Sequence, residues 1–208
     1  MSRHTHRFLT LLCGATLILT SCDSPRQNDQ PPLPEAQVSP REIAGVSLVP
    51  VPQSLLTRCR QEARRIPFPA PCPRLLPARQ LDLLWCNGCR PGEEMFNLDG
   101  LFRGPVGYEG TGHGGRRDLH LVIGAFLANE QPVRSLCEGA ELAGRTRVRD
   151  HPGRWVLCPK LAEPGVHSDH VVLTWVEEDA RYVVGLHGQT EVNRRIGAVI
   201  AEHLMMVA

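Results

Sequence analysis

The chain has 208 residues, with 23 basic against 22 acidic side chains and a net charge of +1, a balance that argues against a polyanion-binding surface. Aromatic residues make up 5% of it, too few for the stacking platforms that hold single-stranded nucleic acid, so no nucleic-acid partner is expected. The basic residues are arginines apart from Lys160, which reads as a GC-rich coding bias before it reads as chemistry.

Residues 1–21 carry a basic start at Arg3 and Arg7, an apolar run from Phe8 to Leu19, and small residues before Cys22. That order describes a secretory signal peptide, and the run is too short to span a hydrocarbon core of about 30 Å. Leu19-Thr20-Ser21-Cys22 resembles the lipobox of bacterial lipoproteins. The resemblance implies that Cys22 becomes the first residue of the mature chain and carries a diacylglycerol with palmitate-type acyl chains. Two buried chains hold a protein at a membrane where one is marginal, each methylene contributing about 0.8 kcal/mol. The expected address is a cell membrane, lipid-anchored and facing away from the cytoplasm. In a two-membrane envelope, Asp23 resembles the signal that retains lipoproteins at the inner membrane. All of this fixes an address and not an activity.

Residues 22–50 read as a tether. Ser24, Pro25, Gln27, Asn28, Pro31, Pro32 and Pro34 bury too little apolar surface to offset ordering entropy, and proline-rich linkers are extended spacers. Residues 51–208 are long enough for a single domain. Residues 53–66 predict a helix, with Leu55, Leu56, Cys59, Ala63 and Ile66 at helical spacing. Prolines at 67, 69, 71 and 73 then forbid helix. Strands are expected at Leu81–Trp85, Met95–Leu98 and Leu119–Phe126. Arg145–Arg149 and Arg154–Cys158 should form a hairpin around Asp150-His151-Pro152-Gly153, and Val171–Val176 and Arg181–His187 a second around Glu177–Ala180. A helix from about Thr190 to Met206, with Thr190 as N-cap, presents Val192, Ile196, Val199, Ile200 and Leu204 as one stripe. The expected class is α+β: an antiparallel meander flanked by an N-terminal and a C-terminal helix packed on one face.

The run Val171–Glu178, then Tyr182–Gly188, then an amphipathic terminal helix resembles the end of uncharacterised exported lipoproteins of GC-rich bacteria. The turn Pro71–Pro77 is also similar to theirs. The resemblance implies a small exported α+β domain and carries over no activity and no cofactor.

Outside the cytosol thiols tend to become disulfides. Beyond Cys13 and Cys22 there remain Cys59, Cys72, Cys86, Cys89, Cys137 and Cys158, and sequence alone does not choose among the pairings an even set allows. Local order favours Cys59–Cys72, tying the first helix to the proline-rich segment, and Cys137–Cys158, stapling the first hairpin. Cys86-Asn87-Gly88-Cys89 has redox-dithiol spacing, although Asn-Gly is itself a hairpin-turn pair and a turn follows. His167-Ser168-Asp169-His170 holds metal-ligand side chains, with His113, His120 and His187 available elsewhere. Read plainly, it is a solvated loop opening a strand, where His167 and His170 need not face the same way. Gly110–Arg117 could form an anion nest, but a strand follows it instead of the helix a P-loop needs. The favoured reading is therefore a non-catalytic binding domain for an envelope protein or small ligand. The alternatives are a thiol–disulfide oxidoreductase using Cys86 and Cys89, and a metal-binding protein using His167, Asp169 and His170.

Overall fold

This structure, a computed structural model, describes residues 38–85, 95–106, 108, 118–128, 137–160 and 169–208. In chain order the elements are β1 (Arg41–Ile43), β2 (Val46–Pro50), α1 (Gln53–Ala63), β3 (Ala70–Pro73), β4 (Leu75–Pro77), β5 (Gln80–Trp85) and β6 (Met95–Arg103). There follow β7 (Asp118–Leu127), β8 (Glu141–Val148), β9 (His151–Cys158), β10 (His170–Glu177), β11 (Ala180–His187), α2 (Glu191–Glu202) and β12 (Leu204–Val207). Antiparallel strands and two helices make this an α+β fold.

The main sheet has seven strands in the order β5-β6-β7-β11-β10-β9-β8. Smaller sheets form from β1-β2-β4 and from β12-β3. Along β11, Tyr182, Val184 and Leu186 are buried on one face, as their alternation requires. Helix α2 lies against β10 and β11. Its Ile196 and Ile200 are fully buried in the same apolar cluster as those three residues. The fit is close: a Cβ at Gly197 would meet Leu186 Cδ1 at 3.0 Å and the Trp155 ring at 3.4 Å. Thr190 caps α2, its hydroxyl accepting from Asn193 N–H at 3.2 Å. Helix α1 buries Leu56, Cys59 and Ala63 and lies against β3. The disulfide Cys59–Cys72 joins these two elements, and Cys137–Cys158 joins the start of β8's approach to the end of β9. These are the pairs that local order favours; Cys22, Cys86 and Cys89 lie outside the described residues.

Three expectations are corrected. Strand structure is already present at Arg41, inside the expected tether and ahead of Val51. Residues 41–50, expected in the tether, form the β1–β2 hairpin and bury Ile43, Val46 and Leu48. Ala44 and Gly45 turn it with φ of 48° and 80°, the mirror-image turn that matches strand twist; the polar run upstream masks so short an apolar pattern. Second, the first hairpin turns at Arg149-Asp150, so that Pro152 and Gly153 belong to β9. Pro152 stands beyond the last β9–β10 pair, Gly153↔Trp175, so its missing N–H breaks no bond of that ladder. Third, α2 stops at Glu202, and Leu204–Val207, expected in the helix, form β12. Their apolar side chains suit either periodicity, and pairing with β3 from Leu204↔Pro73 to Val207↔Ala70 decides it. No helix among the described residues is long and apolar enough to cross a membrane.

Candidate functional site

The face of the main sheet turned away from α2 carries a polar row where alternation would otherwise continue apolar. The two-residue turn Glu178-Asp179 between β10 and β11, with Glu178 at φ 54°, makes Glu177↔Ala180 the first pair and His170↔His187 the last. On the other side of β11, pairing with β7 ends at Leu186↔Leu121. One step further His120 and His187 stand side by side. Three histidines from three neighbouring strands thus share one face at one end of the sheet, and a slip of one residue in either pairing would scatter them.

Their geometry is tight. One ring nitrogen from each of His120, His170 and His187 lies within 4.8 Å of the other two. His170 Nε2 is 3.1 Å from His120 Nδ1. Ring centroids are 4.9 Å apart for His170–His187 and 5.1 Å for His120–His170. His120 and His170 are buried, at 5% and 2% exposure. On its far side His120 Nε2 lies 2.7 Å from Asp99 Oδ1. A carboxylate only accepts, so Nε2 is the protonated nitrogen and the Nδ1 lone pair faces the cluster. Asp169 approaches His187, with Oδ2 3.6 Å from Nε2.

The end of β11 is held by the helix that follows. Asn193 is fully buried, and its Nδ2 donates to the carbonyls of His187 and Gly188, each at 2.7 Å. Its Oδ1 accepts from the Tyr108 hydroxyl, whose pKa burial pushes up to about 12. Gly188 adopts φ 90°, which lets the chain leave the strand sharply. Its N–H donates to Asp169 O at 2.6 Å.

Four-coordinate Zn²⁺ with Zn–N bonds of about 2.0–2.1 Å needs nitrogens roughly 3.3 Å apart. The His120–His170 separation is already close to this, and small rotations would bring in the third ring. The carboxylate on His120 suits such a site, since a metal-bound histidine ordinarily donates its other N–H to a carboxylate or carbonyl.

Of the expected metal-ligand residues, His170 stands in this cluster and Asp169 beside His187; His167 lies outside the described residues. His170 is buried on the sheet and does not sit in a solvated loop. Asp99 is absent from the expected set because the strand reading of Met95–Leu98 ends one residue before it. Counting outward from a turn at 178–179 would have paired His170 with His187. A separate cleft is lined by Gly45, Ser47, Pro77, Arg79, Arg103 and Val106, but Arg103 is already paired with Asp118 at 2.9 Å. No protein-family model, curated protein or solved structure matches the chain.

Proposed function

We propose that this is an exported protein, anchored to a membrane through a diacylglycerol on Cys22, whose disulfide-bonded domain binds a divalent transition-metal ion with His120, His170 and His187. The mutual approach of three imidazole nitrogens to within 4.8 Å carries the metal reading. Imidazole suits zinc, copper and nickel, and two buried rings and one half-buried ring converge here. Helix α2 lies against β10 and β11 on the opposite face of the sheet, which suits this role, because the histidine side chains then stay clear of that helix. Three protein donors leave a further coordination position for water or an incoming ligand. The anchor rests on the resemblance of Leu19-Thr20-Ser21-Cys22 to a lipobox.

Calorimetric titration of Zn²⁺ into the mature protein should reveal one saturable site. Alanine at His120, His170 or His187 should abolish it, and Asp99→Ala should weaken it by roughly 10–100-fold. Wild-type binding no tighter than that of the triple alanine variant would refute the metal reading. Cys22→Ala should abolish acyl labelling; normal labelling would refute the anchor.

A further inference from the structure

The same sheet face carries a second polar group at its other end, built from arginines. Arg145 pairs with Arg154, Arg154 with Thr174, and Thr174 with Val183. Directly paired residues share a face, and Arg181 shares it too, being two positions before Val183 on β11. Arg145 and Arg154, directly paired, have Cβ atoms about 4.5–5.5 Å apart, a spacing at which like charges destabilise a sheet, and Arg181 stands two strands from Arg154 on the same face.

Nothing among the described residues neutralises this group. Arg181 Nε and Thr174 Oγ1 are buried and have no hydrogen-bond partner, and Thr174 is 1% exposed. Glu177 belongs by register to the opposite face and is engaged by Arg149 and His151, each at 3.5 Å. Burial, and then the charge of Arg154, lower the pKa of Arg181.

We propose that Arg154 and Arg181, with Arg145 beside them, bind a phosphate-type oxyanion on this face. An oxyanion supplies what the fold lacks: acceptors for two planar, multidentate donors and a negative charge between like positive ones. Arg154 is exposed at the sheet surface, so the anion enters from solvent and Arg181 receives it deeper in. Phosphate as a free ion and phosphate as a lipid headgroup offer the same chemistry. This proposal does not depend on the metal reading, since its residues lie elsewhere on the face.

The test is a calorimetric titration of inorganic phosphate into the mature protein at constant ionic strength, balanced with chloride. Saturable binding is expected in the wild type. An Arg154→Gln/Arg181→Gln double variant should lose roughly tenfold or more in affinity, as removal of charge-assisted hydrogen bonds implies. Arg195→Gln, on the exposed side of α2, should bind like wild type. Near-ultraviolet circular dichroism of the double variant should match wild type, so that lost binding is not lost folding. Co-sedimentation of the unlipidated Cys22→Ala protein, with and without the two arginine substitutions, separates the sources. Retention on phosphatidylglycerol vesicles and not on phosphatidylcholine vesicles, lost in the double variant, identifies the headgroup; saturable phosphate binding without vesicle retention identifies the free ion. Absence of both, or equal phosphate binding by wild type and a folded double variant, would overturn the proposal.

Discussion

The two faces of the main sheet are drawn from the same strands, yet they are built differently. Toward α2, β11 presents Tyr182, Val184 and Leu186, and these merge with Ile196 and Ile200 into one apolar cluster. On the other face Val156, Val172, Val183 and Phe126 form a smaller apolar patch around Cys158. Beside it stand the histidine row and, further along, the arginines. One face is specified by volume and burial alone. The other spends part of its area on groups that must be placed by register, which is the usual mark of chemistry over packing.

The contrast can be broken or sharpened by substitution. The largest loss should follow Ile196→Ala, about 2–5 kcal/mol in a urea melt, because it empties a fully buried site under the sheet. A loss under about 1 kcal/mol there would mean that this face is not the stabilising one.

His170→Ala tests the other face. Without metal it should cost less, about 1–3 kcal/mol, since His120 Nδ1 loses the partner it has at 3.1 Å. Added Zn²⁺ should separate the proteins further. At a hundredfold excess over Kd it should stabilise wild type by about 2.7 kcal/mol and leave His170→Ala unchanged. A melt of wild type that ignores zinc would remove the functional half of the contrast.

Tyr182→Phe probes the apolar face by pH. Burial, and secondarily Glu177 and Glu178, raise this tyrosine from 10.0 to about 12. The native state therefore keeps a proton that the unfolded chain releases above pH 10. The stability this contributes is fully present below that point and is lost as pH rises toward 12. Wild type should thus weaken steeply between those values. The variant should weaken less, Tyr108 still contributing through its own shift to about 12. Near neutral pH the variant should lose only about 0.5–1.5 kcal/mol, the worth of the hydrogen bond from its hydroxyl to Pro69 O at 3.1 Å. An unchanged alkaline slope would show that the hydroxyl is not desolvated.

The smallest effect belongs to Arg195→Ala, one step round α2 from Ile196 and exposed. It should shift stability by about 0.5 kcal/mol or less. A larger loss would mean that α2 is rotated about its axis.

Legibility followed the same division. The helix-facing side is legible in the apolar runs of β7 and β10, in Tyr182, Val184 and Leu186 of β11 and in the stripe on α2, because burial there depends on local apolar pattern alone. Local closure also favoured both disulfides of the described residues. Terminal pieces were harder. Val46–Pro50 is too short to show a period against its polar neighbours, and Leu204–Val207 is apolar enough for helix or strand until β3 decides. The histidine row was visible only as loose letters. In sequence His170 stands beside Asp169 and near His167, whereas its partners in space are His187 across a hairpin and His120 two strands away. Asp99 lay outside the expected strand altogether. Such a site is written in register, and register is set by which strands meet.

The strand order carries one more consequence. The seven strands are two runs of sequential neighbours, β5-β6-β7 and β8-β9-β10-β11, and they meet only along β7 and β11. Asp99 and His120 lie on the first run, His170 and His187 on the second. An ion held by all three histidines would therefore bridge a junction between chain segments that are distant in sequence, and neither run could hold it alone. Any partial opening along that junction breaks the coordination. The rate at which the ion escapes should then track the hydrogen-exchange opening of the β7 and β11 amides, making release a property of the seam instead of the surface.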